Sequence, residues 1–315
     1  MLKDASRARS LAFHAGAASV LRPRVHAVFA CEAATRAGDP DAGIHDMRVA
    51  AKRLREALRL FAPAFRKKDA KRHLRWVGEI NAALGEVRDV DVLEKRLTKR
   101  AAKLGAPAGL DDLLARLARR RDGGRSWLVF LLDRVQERML AAKLEATLVR
   151  VAAERTADEP TLERFAVDAI LTRLAKVRRR WERVRLDGRE ESFHRVRIAN
   201  KHLRYAIEPF VDFLPPAVKD AGRVARRFHD ALGDLHDEDV FLHAVETEIC
   251  CAKPGDRPAW ERFARDAQTR RRRYFARTLA LADTLMATGW RTLEDALRAD
   301  AEIAAAEPGA DATRH

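Results

Sequence analysis

The chain carries the stretch IHDMRVAAKRLREALRLF at residues 44–61 and a second stretch, FHRVRIANKHLRYAIEPF, at residues 193–210. The two align without a gap, 149 positions apart, and they are identical at eight of 18 positions. Four of these identities are basic side chains. They are His45, Arg48, Lys52 and Arg55 in the first stretch, and His194, Arg197, Lys201 and Arg204 in the second. The sequence therefore contains one basic segment in duplicate.

The spacing i, i+3, i+7, i+10 of the basic residues predicts a one-sided helix. At about 100° per residue, the four side chains fall within a sector of about 80°. Leu54, Leu58 and Phe61 fall on the opposite side, where they would pack against a core. We call each set of four a cationic stripe. Each stripe is ~15 Å long, which suits a linear anion better than a point charge.

The composition indicates a globular protein with an excess of positive charge. There are 62 Lys and Arg against 47 Asp and Glu, giving a net charge of +15, with 47% hydrophobic residues. Such a charge is typical of proteins that bind a polyanion or an anionic membrane surface. The longest apolar run, residues 127–132, is far below the ~20 residues of a membrane span, so no membrane insertion is predicted. Three cysteines without a Cys-x-x-Cys pair, and no apolar signal segment, predict cytoplasmic residence.

Helical periodicity along nearly the whole chain predicts an all-α fold of roughly ten helices. A second matched block, LGEVRDVDVL at residues 84–93 and LGDLHDEDVF at residues 232–241, is identical at five of ten positions with an offset of 148. Two blocks in the same order indicate an internal duplication. We predict two antiparallel helical bundles, repeats 8–157 and 160–300, and a flexible C-terminal tail at 301–315. Helix breaks are predicted at 38–43, 105–109, 122–124, 158–160, 187–191, 215–216 and 254–258.

Each histidine of the stripes is predicted to lie in a first helical turn. His45 follows Gly43, and His194 follows Ser192, a plausible N-cap. A cation in that turn opposes the helix dipole by ~0.3 to 1 kcal/mol, and a bound anion would reverse the sign. This position favours phosphate binding by the histidines.

Four aspartates of the second block allow two interpretations. They are Asp89, Asp91, Asp237 and Asp239. They could ligate a metal, but the His-Asp pairs nearby do not recur at equivalent positions of the two repeats. Helix starts after Gly85 and Gly233 would explain the aspartates as capping residues, and some of them could orient cations of the stripes. No phosphate loop or other catalytic motif is present, so we predict no catalytic residue, no metal and no cofactor.

The repeated pattern H-x-x-R-[VI]-x-x-K-x-L-R, followed each time by L-G-x-x-x-D-x-D-V, resembles the CHAD family, named for a conserved histidine α-helical domain. The resemblance covers approximately residues 8–300. It implies two pseudo-symmetric helical bundles with a basic cleft between them, inorganic polyphosphate as the ligand, and a location at polyphosphate granules. Many relatives fuse this domain to a CYTH-type triphosphate-handling domain, but no β-rich segment with an E-x-E-x-K motif occurs in this sequence.

The sequence thus predicts a non-enzymatic polyphosphate-binding protein. The proposed site comprises both stripes together with Arg75 and Arg223, which occupy equivalent positions in the helix that follows each stripe. A nucleic-acid-binding protein is one alternative, although only 6% of residues are aromatic and no base-reading module is recognisable. A metal-dependent phosphohydrolase is a weaker alternative. The oligomeric state stays open.

Overall fold

The computed structural model describes residues 11–211, 214, 216–286 and 290–306. Within these residues the chain forms eleven α-helices, which confirms the all-α prediction. The helices are α1 (Phe13–Ala30), α2 (Glu32–Arg36), α3 (Asp46–Leu60), α4 (Lys67–Leu104), α5 (Leu110–Glu137), α6 (Leu140–Ala153), α7 (Leu162–Asp187), α8 (Glu190–Ile207), α9 (Pro216–Cys251), α10 (Arg257–Thr284) and α11 (Trp290–Ala306). A π-helical segment, Pro40–His45, precedes α3, and 3-10 turns follow α3 (Ala62–Ala64) and α8 (Glu208–Phe210).

Six of the seven predicted breaks fall at helix ends, among them 38–43, where the π-helical segment follows α2, and 215–216, where α9 begins. The linker between α4 and α5 contains Gly105 and Gly109, both at φ +81°, a conformation that side chains with a Cβ rarely adopt. Gly188, at φ +58°, ends α7. The α6–α7 and α9–α10 linkers also coincide with predicted breaks. These breaks were predictable because glycine and proline at these positions end a helix.

The predicted helix starts after Gly85 and Gly233, and the break at 122–124, are wrong. Gly85 lies inside the 38-residue α4, Gly233 lies inside the 36-residue α9, and residues 122–124 lie inside α5. Gly124 is buried, and a Cβ there would lie 3.2 Å from a side-chain methyl of Val87 on α4. Glycine at this position therefore permits close packing of two continuous helices.

The helix packing divides the chain into two compact units. The first unit comprises residues Ala18–Ala152 and Leu235–Tyr274; the second comprises the described residues up to Ala17, Ala153–Asp234, and those from Phe275 onward. The first stripe belongs to the first unit and the second stripe to the second. The predicted repeat boundaries and the pseudo-symmetry of the duplication stay predictions.

In the first unit, α4 is the central element. It packs against both α3 and α5, and its carboxyl-terminal half joins an apolar cluster with α5, α9 and α10. Phe241, Trp260 and Phe263 are the largest members of this cluster, and all are at most 1% exposed. Trp260 donates from Nε1 to the carbonyl oxygen of Ala108, 3.1 Å away. A single long helix therefore connects the α3 region to this cluster.

In the second unit, α7 packs along α8 and against α11. Trp181 of α7 makes edge contacts with Phe193 of α8 and with Phe228 of α9. Near the amino terminus, Ala12 and Thr161 form an isolated antiparallel bridge, and Glu159 accepts from Nδ1 of His14 at 2.6 Å. The aromatic contacts hold the buried face of α8, and hence the second stripe, on the unit.

The carboxyl-terminal helix continues to Ala306, and residues 307–315 lie outside the described residues. No helix among the described residues is both long enough and apolar enough to cross a membrane.

Candidate anion-binding surface

A π-helical segment leads into the first stripe. Asp39 caps it, with its Oδ1 accepting from the backbone N–H groups of Asp41 and Ala42 at 2.8 Å each. The backbone N–H of Ile44 donates to the carbonyl oxygen of Asp39, five residues back, at 2.8 Å. Single-turn π segments in helices are frequent at functional sites. His45, the last residue of the segment, joins it to α3.

Gly43 fixes the place of this segment. A Cβ at Gly43 would lie 2.6 Å from backbone atoms of Ala34 and 2.7 Å from the nitrogen of Thr35. Only a residue without a side chain allows this approach. Because the helical stretch begins at Pro40, the prediction that His45 lies in a first turn is wrong, and the helix-dipole argument does not hold for it.

The start of α8 also differs from the prediction. The helix begins at Glu190, so His194 lies in its second turn and Ser192 is not the N-cap. Ser192 is buried and donates from Oγ to Oδ2 of Asp187 at 2.9 Å, and the backbone N–H of Arg189 donates to Oδ1 at 3.0 Å. These hydrogen bonds, the backbone one foremost, lower the pKa of Asp187. Asp187 is therefore the side chain that accepts hydrogen bonds at the start of α8.

The two stripes nevertheless have the predicted one-sided character. In each, the histidine is exposed and the following arginine, lysine and arginine are half-buried. On the opposite side of α3, Leu54, Leu58 and Phe61 are at most 1% exposed, as predicted. On α8, Asn200 lies on the corresponding face and is fully buried. Its Nδ2 donates to the carbonyl oxygen of Ala225 at 2.9 Å.

Two arginines of the first stripe lie on glycines of α4. The Arg55 guanidinium would be 3.6 Å from a Cβ placed on Gly78, and that of Arg48 would be 3.9 Å from a Cβ placed on Gly85. The two arginines are seven residues apart on α3, and the two glycines are seven residues apart on α4, which is two helical turns in each case. The arginines therefore face the glycines in antiparallel order. The glycine misread as a helix start is thus a flat surface for a guanidinium.

The two arginines differ in their ion pairs. Arg48 contacts Asp89 with 2.9 Å between Nη2 and Oδ1. Arg55, within the part of the chain that the structure describes, has no carboxylate within ion-pair distance, and its Nε is buried without a hydrogen-bond partner. Burial, reinforced by the neighbouring charge of Arg59, lowers the pKa of Arg55. A half-buried cation without a counterion is a favourable place for an anion.

The aspartates of the second block pair with arginines. Asp89 contacts Arg48, while Asp91 lies 3.8 Å from Arg121, and burial raises the pKa of Asp91. Asp237 lies 3.7 Å from Arg96, and Asp239 pairs with Arg271. Among the described residues no group of three potential metal-ligating side chains comes together. The prediction that some of these carboxylates orient cations of the stripes is confirmed for Asp89, whereas their role as helix caps is wrong.

The second stripe is built with different neighbours. Arg204 lies over the ring of the adjacent Tyr205, 5.3 Å from its centroid. A Cβ on Gly233, the counterpart of Gly85, would have no atom within 4 Å. The contact between an arginine of the stripe and a glycine of the next helix is therefore not repeated there. Arg223 is exposed on α9 and pairs with Asp220 one turn earlier. The duplicated sequence thus holds equivalent arginines by different local contacts.

Arg75 lies on α4 of the first unit. It is exposed on α4 and lines a pocket of about 740 Å³ between α4 and α5, where Trp127 is also found. Sequence reasoning missed this pocket, because its residues come from distant segments without a shared motif. It also missed the contacts between the arginines of the first stripe and the glycines of α4. The equal seven-residue spacing of the arginines and the glycines is a signal that could have indicated them.

The comparisons with known proteins agree with this architecture. The CHAD domain family model matches residues 19–246, most of the chain. This chain belongs to the CHAD family. Polyphosphate binding is a known role of that family.

Two solved structures are similar to this CHAD protein. The crystal structure of the CHAD domain from the plant Ricinus communis has a TM-score of 0.66 at 21% sequence identity, over 90% of this chain and 93% of the other. PptA from Streptomyces chartreusis has a TM-score of 0.58 at 15% identity, over 86% and 99%. At these identities the likeness shows a shared fold. No curated protein sequence is significantly similar to the chain.

Proposed function

We propose that this CHAD protein binds inorganic polyphosphate, without hydrolysing it, through the cationic stripes of α3 and α8. The observation that carries the proposal is Arg55, a half-buried guanidinium without a carboxylate partner, in line with Arg48 and with Lys52 on one helix face. A linear polyanion supplies a negative charge for each of these side chains in turn. Arginine offers forked hydrogen bonds to phosphoryl oxygens and lysine a point charge.

The family and the charge support this assignment. CHAD domains are generally binding domains, and the net charge of +15 favours a polyanionic ligand. We further propose that both stripes bind the same ligand in a common basic cleft, as the family resemblance implies, and that the protein associates with polyphosphate granules. Arg75 and Arg223 belong to the proposed site as cations that extend the stripes.

Binding of long-chain polyphosphate by stripe variants tests the proposal. Arg48→Ala/Lys52→Ala and Arg197→Ala/Lys201→Ala should each weaken binding about tenfold or more, because each removes two charged contacts. Affinity should fall steeply with salt, and each variant should flatten that dependence. Lys99→Ala/Arg119→Ala and Lys176→Ala/Arg179→Ala remove equal charge from exposed positions off the stripes and should change affinity little.

The outcomes distinguish the competing functions. If the stripe variants and the control variants lost the same affinity for polyphosphate, binding would depend on net charge alone, and the stripes would not be a specific site. Duplex DNA or RNA that binds more tightly than polyphosphate at every salt concentration would favour a nucleic-acid-binding protein. Release of phosphate by the purified protein, abolished by Asp89→Asn or Asp237→Asn, would show a phosphohydrolase.

A further inference from the structure

The pocket between α4 and α5 in the first unit has a chemistry that a phosphate chain alone does not require. Six cations line it: Lys68, Lys71, Arg72, Arg75, Arg134 and Arg138. One carboxylate, Glu79, lies among them. Its apolar wall includes the buried Trp76, Ile80, Leu131 and Val135. The volume, about 740 Å³, is within the range of pockets that bind small organic ligands.

The cations of this pocket are largely free of counterions. Arg72 pairs with Asp69 at 2.8 Å. In the described part of the chain, the other five have no carboxylate within ion-pair distance, and Arg134 instead lies over the ring of Phe130, 5.6 Å from its centroid. Like charges gathered around one cavity repel each other unless an anion lies between them. The pocket therefore favours a ligand with several negative charges.

Trp127 adds a flat apolar surface to the pocket. It is 50% exposed, an unusual position for a large aromatic side chain, and its ring stacks on Phe130 at 5.3 Å between centroids. Trp127, Phe130 and Arg134 follow one another by three and four residues, so they lie along one side of α5. Polyphosphate has no apolar group to cover an indole. An aromatic ring on the ligand would do so by stacking.

We propose that this pocket binds a nucleoside triphosphate, with the base stacked on Trp127 and the phosphates among the lysines and arginines. A nucleotide joins a flat ring to several negative charges at a size that the pocket accommodates. Glu79 is placed to accept from ribose hydroxyl groups, the donors that such a ligand offers. The site lies within one unit and uses none of the eight stripe side chains. Arg75, which the proposed function adds to the stripes, is shared by the two proposals.

Calorimetric titration of the full chain in metal-free, low-salt buffer tests the proposal with ATP, tripolyphosphate and adenosine as probes. ATP should bind about tenfold more tightly than tripolyphosphate, because only ATP stacks on the indole. Trp127→Leu should remove that advantage while leaving tripolyphosphate binding unchanged. Trp127→Phe, which keeps a flat aromatic ring at the same position, is the matched control and should retain most of the advantage.

Charge variants complete the test. Lys71→Ala/Arg138→Ala should weaken ATP and tripolyphosphate alike by about tenfold, whereas Lys99→Ala/Arg119→Ala should weaken neither. Equal affinity for ATP and tripolyphosphate, or equal loss from Trp127→Leu and Trp127→Phe, would overturn the nucleotide site. Binding of a polyglutamate peptide is a further control. If Trp127→Leu weakened binding of this peptide but not of ATP, the nucleotide site would also be overturned. Long-chain polyphosphate binding by Trp127→Leu, expected to be unchanged, keeps this test separate from that of the stripes.

Discussion

At the scale of single residues, two glycines of the first unit face different neighbours. A Cβ on Gly43 would meet backbone atoms of Ala34 at 2.6 Å, and backbone cannot move aside. A Cβ on Gly78 would meet the Arg55 guanidinium at 3.6 Å, an ordinary contact with the end of a flexible side chain. The same substitution should therefore have opposite effects at the two positions.

We expect Gly43→Ala to destabilise the protein by about 1–3 kcal/mol, through overpacking against the backbone. Gly78→Ala should stabilise it by up to about 1 kcal/mol, because alanine favours a helix interior over glycine. Urea unfolding of both variants measures these changes. Gly78→Leu should displace Arg55 and weaken polyphosphate binding, as Arg55→Ala should also do, while Gly78→Ala should preserve it. Equal destabilisation by the two alanines would contradict the close approach at Gly43.

His73 is a buried neutral side chain near the pocket. Trp76 donates from Nε1 to Nδ1 of His73 at 3.3 Å, so the proton of the imidazole lies on Nε2, which contacts Oγ1 of Thr147 at 3.1 Å. Thr147 in turn donates to the carbonyl oxygen of Lys143 at 2.8 Å. Burial foremost, then the positive charge of Arg72, lowers the pKa of His73 to about 4.

This lowered pKa makes stability depend on pH. Between about 6.5 and about 4 the unfolded chain binds a proton that the folded chain does not, so stability falls as the pH falls through that window. From pH 7.5 to pH 5 we expect His73 to contribute a loss of about 2 kcal/mol. Urea unfolding of the wild type and of His73→Gln at both pH values measures it. An equally large loss in the variant would assign the effect to other groups.

At the scale of elements, α4 is tied to α9 and α10 by one buried network. Arg100 of α4 donates from Nη2 to both oxygens of Glu238, at 3.1 and 2.9 Å, and its Nη1 lies 2.9 Å from Asp266. The guanidinium also lies over the ring of Phe241, 4.4 Å from its centroid. Glu238 is 1% exposed, so its charge depends on this partner.

Arg100→Met should destabilise the first unit by about 3–5 kcal/mol, because Glu238 stays buried and, among the described residues, keeps only Arg96, at 3.4 Å, within ion-pair distance. Arg100→Met/Glu238→Leu should recover much of that loss, since an apolar pair removes the unpaired charge. Denaturant unfolding of the wild type, Arg100→Met, Glu238→Leu and the double variant gives the coupling free energy. Additive losses in the double variant would mean that the side chains act independently.

The sequence correctly predicted an all-α fold, but it predicted helix starts and breaks at glycines that lie inside long helices. The stripes and the apolar face of Leu54, Leu58 and Phe61 follow from helical periodicity, which is a local property. Gly85 and Gly124 were misread because a helix-breaking propensity of about 1 kcal/mol is outweighed by packing against another helix. The Arg100 network and the Trp127 pocket join segments far apart in the chain, and no periodicity reports such contacts.

At the scale of the whole molecule, the net charge of +15 couples stability to the ligand. Polyphosphate that binds only the folded chain should stabilise it by about 2.7 kcal/mol at a concentration 100 times Kd, and high salt should abolish the effect. Thermal unfolding with and without polyphosphate, at two salt concentrations, measures the shift. A lowered Tm would mean that the polyanion prefers the unfolded chain.

The distribution of tryptophans has a practical consequence. Trp76 and Trp260 are buried in the first unit, Trp181 and Trp290 are buried in the second, and Trp127 alone is half exposed. Each unit therefore contains its own fluorescent groups, shielded from water. Tryptophan-to-phenylalanine variants that leave one unit's indoles in place would let the emission spectrum report the melting of that unit alone.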